Sequence, residues 1–314
     1  MNIVFLDAKT MGEVPNLIRL EKLGNYKAYQ VTSPDERKQR ILGADIIITC
    51  KVLIDKEIID YCPSLKLICV AATGMNNVDV DYAHSKGIEV KNVTGYSSES
   101  VAQLTAGVIL SLVNKINYFD TFVKSGAYVN NDMFTHYGPP IYELKGKTLG
   151  IIGLGSIGSR VAEIMGVFGM SIVYHSVSGN NNSALYQHAP LIQLLSDSDI
   201  ISVHCPLNSA TRNLLNKNNI CIIKDTAILI NMARGGIVNE LDIVEALNNN
   251  KLGGYATDVF IKEPVEIDSP YFQLKTPEKV ILTPHIAWTS VEARTLLIDK
   301  LCENILSFSQ TQKF

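Results

Sequence analysis

"KTLGIIGLGSIG", residues 147–158, sets three glycines in the pattern G-x-G-x-x-G. The apolar "LGII" inside it reads as a buried strand, and "SIGSRVAEIMGVFG" (156–169) reads as the helix that follows. A glycine triplet alone is weak; between a strand and a helix it is a dinucleotide-binding fingerprint. Gly153 permits the tight turn, Gly155 lets the backbone approach a pyrophosphate, and Gly158 lets helix and strand pack closely. The helix start at Ser156, Ile157 and Gly158 offers backbone N–H groups and the positive end of the helix dipole to the anion.

The second half of the fingerprint is an Asp or Glu about 20 residues after the first glycine, which holds the adenosine ribose 2′-OH. The sequence there is "SIVYHSVSGNNN" (171–182) and contains no acid to repel the extra phosphate of NADP. It also contains no Arg or Lys to attract that phosphate. His175, Ser176 and Ser178 can serve either cofactor through hydrogen bonds. The expected cofactor is NAD(H), with NADP(H) open beside it.

Outward from the glycine loop, strands are expected at 148–152, 171–175, 199–203, 226–230, 254–257 and 280–282, with helices near 156–168 and 239–249. That rhythm is a doubly wound nucleotide-binding domain. A first block precedes it. "NIVFL" (2–6), "DIIIT" (45–49) and "LKLICV" (65–70) are short apolar runs separated by helix-compatible stretches at 34–42 and 55–61. Such runs argue for a parallel sheet covered on both faces. "ESVAQLTAGVILSLVNKINYF" (99–119) reads as one long helix, apolar on more than one face and therefore buried between layers or against another subunit. The Gly-, Pro- and Asn-rich stretch 125–147 is expected to cross between domains. Near the end, Leu297, Leu301, Ile305 and Phe308 fall on one stripe of a terminal helix.

Bulk properties limit the partners. A chain of 314 residues with 46% hydrophobic and 19% charged residues is an ordinary two-domain globular protein. A net charge of −3 and the lack of a dense basic run point away from nucleic acid. The cysteines at 50, 62, 69, 205, 221 and 302 form no C-x-x-C pair and read as reduced core thiols of a cytoplasmic protein. "MNIVFLDAKT" reads as a first strand and not a signal peptide, and no apolar run has the length of a membrane span. No His/Cys/Asp cluster has metal-ligand spacing, so no metal is expected. His84, His136 and His188 lie outside any motif and read as surface residues.

Three more segments follow the glycine loop: "LINMARGGIVNE" (229–240), "ATDVFIKEP" (256–264) and "TPHIAW" (283–288). In order and spacing, the four together resemble the D-isomer-specific 2-hydroxyacid dehydrogenases. The similarity runs nearly end to end, including "ATGMNNVD" (72–79) and "NVTGYSSESVAQ" (92–103), and is greatest toward the hydroxypyruvate reductase and glycerate dehydrogenase branch. The resemblance implies an α/β fold of two Rossmann-like or flavodoxin-like domains with parallel sheets and an active site in the interdomain cleft. Residues 1–99 plus 287–314 would form the discontinuous substrate domain, and residues 100–286 the dinucleotide-binding domain. It also implies a homodimer formed through the cofactor domain, and the apolar helix 101–119 agrees with that.

Carried over residue by residue, Arg234 matches the arginine of the N-x-A-R-G segment, Glu263 the acid before proline, and His285 the histidine after T-P. The chemistry needs these types. A guanidinium holds a carboxylate through two parallel N–H bonds and polarises the neighbouring ketone. An imidazolium donates a proton to the oxygen that hydride attack charges, and takes it back in the oxidative direction. A carboxylate beside the imidazole stabilises its charged form and orients the ring. Asp258 matches a residue at the nicotinamide end, while His204 and Pro206, after another strand, match positions beside the cofactor. Lys51, Thr73, Gly74, Met75 and Trp288 are expected at the substrate, the loop around Gly74 offering backbone N–H groups to its carboxylate. Trp288 stands where many relatives carry a small residue.

The expected function is NAD(P)-dependent, reversible hydride transfer to a small 2-oxo acid. The alternative is a dinucleotide-sensing regulator on the same fold, as in corepressor relatives. Formate dehydrogenases carry glutamine where this chain has Glu263, which argues against that branch.

Overall fold

The computed structural model describes residues 1–311, so the last three positions of the segment 287–314 expected in the first domain lie outside the described residues. The chain divides into two compact units. One comprises residues 1–97 with the described residues from Thr289 onward; the other comprises residues 98–288.

The first unit is built on β1 (Asn2–Phe5), β2 (Asn25–Ala28), β3 (Ile46–Thr49), β4 (Leu67–Val70) and β5 (Glu89–Lys91). They form one parallel sheet in the order β2-β1-β3-β4-β5. Every residue of β3 and β4 is buried, as central strands covered on both faces must be. The edge strands β2 and β5 have no buried residue and carry no apolar run, so they leave no mark in the sequence. In this flavodoxin-like order the chain switches direction between β1 and β3, which opens a crevice at the carboxyl ends of those strands. Asp7 follows β1 there, and Cys50 and Lys51 follow β3.

The terminal helix Val291–Thr311 belongs to this unit and buries Leu297, Leu301, Ile305 and Phe308, the stripe read from the sequence. Polar contacts fix its register. Arg294 Nη1 donates to the Met11 carbonyl at 2.6 Å, and Asn304 Nδ2 donates to the Asn92 carbonyl at 3.0 Å.

The second unit contains β6 (Thr148–Ile152), β7 (Ser171–His175), β8 (Gln187–His188), β9 (Ile200–Val203), β10 (Ile228–Asn231), β11 (Gly254–Thr257) and β12 (Val280–Leu282). They form a parallel sheet in the order β12-β11-β10-β9-β6-β7-β8. The strand expected at 226–230 begins later, because the Ala227 N–H closes a turn onto the Lys224 carbonyl at 2.9 Å. Here the strand order reverses at β6, with β7 on one side and β9 on the other. Gly153 leaves the carboxyl end of β6 and His204 that of β9, so both border the crevice where such sheets bind ligands.

Several expectations need correction. The helix expected over 99–119 is two helices, Ser98–Val113 and Ile116–Lys124, interrupted at Lys115, whose φ is 53°. Asn114 Nδ2 donates to the Leu110 carbonyl at 3.0 Å, a local bond that satisfies the last turn and competes with continuing the helix. The first helix shares a core with Leu149, Ile151, Val161 and Met165, which accounts for its apolar breadth within one unit. The segment 125–147 does not cross between units; it lies wholly in the second. It leaves Val129, Phe134 and Tyr137 more than four-fifths exposed. His136 is not a plain surface residue, since its ring stacks on Phe122 with centroids 3.7 Å apart. All six cysteines are free, but Cys221 is exposed and not a core thiol. Among the described residues no helix is long and apolar enough to cross a membrane.

Candidate active site

The glycine loop has the shape a dinucleotide needs. Gly153 has φ 96°, and a Cβ there would stand 2.7 Å from the Cys205 nitrogen. A Cβ on Gly158 would stand 2.3 Å from the Gly153 carbonyl oxygen, so helix and strand meet at van der Waals limit. A Cβ on Gly155 would meet nothing within 4 Å, which leaves open space above the loop. Gly155 caps the helix Ser156–Val167, and the first intrahelical bond runs from the Ser159 N–H to the Gly155 carbonyl at 2.8 Å. The N–H groups of Ser156, Ile157 and Gly158 therefore have no intrahelical acceptor and can hold a pyrophosphate.

Gly153, Gly155, Ser176, His204 and Pro206 line one cavity of about 220 Å³. Its wall is electrically neutral. Burial pushes the His204 imidazole down to about 4 and the Cys205 thiol up to about 11, and neither an acid nor a Lys or Arg is part of the lining. His204 Nε2 lies 2.8 Å from Ser202 Oγ, while its Nδ1 is buried with no protein partner. An orphaned ring nitrogen beside the glycine loop fits a site shaped for a polar ligand. His175 Nδ1 lies 3.1 Å from the Ala189 carbonyl oxygen.

The acid/base group is built from three loops of the second unit. At the end of β10, the buried Asn231 shapes the turn that presents Arg234. Its Nδ2 donates to the Arg234 carbonyl at 3.0 Å, and its Oδ1 accepts from the Ala233 N–H at 3.2 Å. Arg234 Nη1 donates to the Ala233 carbonyl at 2.7 Å, which leaves most of the five guanidinium donors available. Gly235 is required here, because a Cβ would stand 2.0 Å from the Phe260 carbonyl oxygen. The Phe260 N–H in turn donates to Glu263 Oε1 at 3.1 Å, and Glu263 Oε2 lies 2.6 Å from His285 Nδ1.

His285 has φ 56°, a backbone conformation uncommon outside glycine and one that surrounding structure must hold. Asp258 holds it. Its carboxylate, 1% exposed, accepts from Thr283 Oγ1 at 2.6 Å, the Ile286 N–H at 2.8 Å and the Ala287 N–H at 2.8 Å. Asp258, expected at the nicotinamide end, also gives its carboxylate to the loop that carries His285. Trp288 ends the same segment, half-buried.

Within the first unit, Lys51 is exposed and makes no ion pair among the described residues. Its loop is held by Asp7, which accepts from the N–H groups of Cys50 at 2.9 Å, Lys51 at 2.7 Å and Val52 at 3.3 Å. Burial raises the Asp7 carboxyl above its ordinary value, against these hydrogen bonds. On the other side Asn77 Nδ2 donates to the Val52 carbonyl at 3.0 Å. The loop containing Thr73, Gly74 and Met75 is thus joined to that of Lys51. Thr73 Oγ1 donates to the Val93 carbonyl at 3.1 Å, and Met75 packs on the core behind it.

Sequence reading passed over Asp7, Asn181 and the pair Asn208 and Thr211. The last three line the cavity. The signal at 208–211 was legible: Asn208 Oδ1 accepts from the Ala210 N–H at 2.9 Å, an Asx turn that "NSAT" permits. Asp7 and Asn181 give no such local sign.

Comparisons with known proteins bear on this geometry. A family model described as "D-isomer specific 2-hydroxyacid dehydrogenase, NAD binding domain" matches residues 106–287. A hydroxypyruvate reductase of Blautia hydrogenotrophica is 36% identical over 296 residues, covering 92% of this chain and 90% of the relative. A glycerate dehydrogenase of Methylorubrum extorquens is 33% identical over 307 residues, covering 98% of this chain and 95% of the relative. A solved D-lactate dehydrogenase of Aquifex aeolicus, complexed with NAD and lactic acid, is similar with a TM-score of 0.87 at 28% identity, covering 99% of this chain and 96% of that one.

Proposed function

The chain belongs to the D-isomer-specific 2-hydroxyacid dehydrogenase family, and we propose from that premise that it interconverts hydroxypyruvate and glycerate, or a closely related acid pair, with NAD(H). We assign His285 the acid/base role, Glu263 the orientation of its ring, and Arg234 the substrate carboxylate. Lys51, Thr73, Gly74, Met75 and Trp288 are assigned to the substrate, and Gly153, Gly155, Ser156, Ile157, Gly158, His175, Ser176, His204, Pro206 and Asp258 to the cofactor.

The nicotinamide, when bound, supplies or accepts the hydride. The protein does the rest. Arg234 receives the carboxylate through parallel N–H bonds and polarises the ketone. The ring nitrogen of His285 that faces Glu263 is Nδ1, so Nε2 is the atom that exchanges a proton with the substrate oxygen. In reduction the proton goes from Nε2 to the former ketone oxygen; in oxidation it returns. Asp258 keeps the His285 loop in its strained conformation through both directions.

The observation that carries this reading is the 2.6 Å contact between His285 and Glu263 on a loop pinned by Asp258. Its test is loss of reduced-nicotinamide absorbance with hydroxypyruvate, glyoxylate and pyruvate, with His285→Ala beside the wild type. Turnover that requires His285 supports the reading. Cofactor binding without turnover on any of these acids overturns it in favour of a dinucleotide sensor. The exposed apolar residues Val129, Phe134 and Tyr137 support a homodimer through the cofactor domain, which light scattering on the purified chain would test.

A further inference from the structure

The adenosine ribose of a dinucleotide presents either a 2′-hydroxyl, which an acceptor can hold, or a 2′-phosphate, which needs donors or cations. Ser176 is the residue that position along β7 nominates for this task. It is 7% exposed, and its Oγ already accepts from the Asn181 N–H at 3.3 Å. Asn181 itself lines the cavity.

Its contacts form a clamp. Asn181 Nδ2 donates to the carbonyl of Leu154, inside the glycine loop, at 3.1 Å. The Asn181 carbonyl accepts from the Tyr174 hydroxyl at 3.0 Å, and that hydroxyl accepts from the Ser183 N–H at 2.9 Å. Tyr174 is 1% exposed, so the loop 176–183 is anchored in the core and tied to the phosphate loop at once. One N–H of Nδ2 is committed to Leu154, so the carboxamide can still offer a ligand the acceptor Oδ1 and its second N–H.

We propose that Asn181 receives the 2′ position of the adenosine ribose and sets cofactor choice: NADH is preferred, and NADPH is admitted because the receiver is uncharged. This rests on the cofactor reading above. An amide oxygen accepts from the 2′-hydroxyl as a carboxylate would. It has no charge to repel a 2′-phosphate, and the neutral wall has no cation to attract one.

The test is calorimetric titration of the full-length protein with NADH and with NADPH, for the wild type, Asn181→Asp and Asn181→Ala. The wild type should bind both, NADPH about tenfold more weakly. Asn181→Asp loses the bond to the Leu154 carbonyl and should weaken both cofactors, but NADPH by about a hundredfold more than NADH, since it adds the missing acid. Asn181→Ala should weaken NADH by about tenfold and narrow the gap between the two. If both variants shift the two constants by one common factor, Asn181 is only a loop clamp and the proposal fails. If the wild type binds neither cofactor, the cofactor reading itself fails, which is a separate outcome.

Discussion

His285 Nδ1 and Glu263 Oε2 are 2.6 Å apart and link the two loops that carry them. Glu263→Gln keeps the volume and removes the charge. Turnover in the reductive direction should fall about tenfold to a hundredfold, because general acid–base help is worth roughly 10²–10⁴ and only its tuning is lost. NADH affinity should not move. Steady-state rates beside a cofactor titration check this, and an unchanged kcat would remove Glu263 from the mechanism.

Asp258→Ala leaves the Ile286 and Ala287 N–H groups and the Thr283 hydroxyl without their acceptor. Losing a buried hydrogen-bonded carboxylate should lower stability by on the order of 3 kcal/mol. Releasing the φ 56° conformation of His285 should lower kcat as well. Urea unfolding and kinetics on one preparation read both; a stable variant with full turnover would contradict the role.

Gly153 and Gly155 should separate folding from binding. Gly153→Ala forces a Cβ to within 2.7 Å of the Cys205 nitrogen at φ 96°, so it should unfold or misplace the loop. Gly155→Ala has open space and φ −86°, so the protein should fold with an unchanged melting temperature. Its methyl group occupies the approach to the pyrophosphate and should weaken NADH by tenfold or more, on the order of 1–2 kcal/mol. Thermal melts with and without NADH measure the difference.

His204 makes stability depend on pH in a defined direction. Its folded-state value is pushed down to about 4 by burial, below the ordinary 6.5. Between those values the unfolded chain binds the extra proton, so stability is present above pH 6.5 and is lost as pH falls toward 4. The expected loss from this group between pH 7 and pH 5 is about 2 kcal/mol. His204→Gln should flatten that part of the profile, measured by urea unfolding at each pH. Asp7, raised by burial, acts with the opposite sign, so the comparison is between variant and wild type at matched pH.

Asp7→Asn replaces one of the two oxygens that accept from the N–H groups of Cys50, Lys51 and Val52 with an amide donor. The Lys51 loop should shift, and KM for the 2-oxo acid should rise about tenfold while NADH affinity holds. An unchanged KM would show that Asp7 only supports the sheet end.

Much of this was legible because the signals were local. The strands β3, β4 and β6 are continuous apolar runs, and glycine at 153 and 158 is demanded by one short turn. Arg234, Glu263 and His285 were found through motif order. Elsewhere local signals failed. The helix 99–119 carries an unbroken apolar pattern, yet the Asn114 side chain and the left-handed Lys115 divide it. The edge strands β2 and β5 have no apolar run to betray them.

By itself the sequence determined the two parallel α/β blocks, the phosphate loop and the motifs that carry Arg234, Glu263 and His285. Each of these is written within a few neighbouring residues, as strand periodicity, turn chemistry or a short motif. Tertiary structure alone decided that Asp258 holds the His285 loop, that Asp7 shapes the Lys51 loop, and that Asn181 ties its own loop to the phosphate loop. Those assignments depend on which donors and acceptors are already satisfied by partners 5 to 45 positions away. Sequence spacing does not carry that information, and only the folded chain settles it.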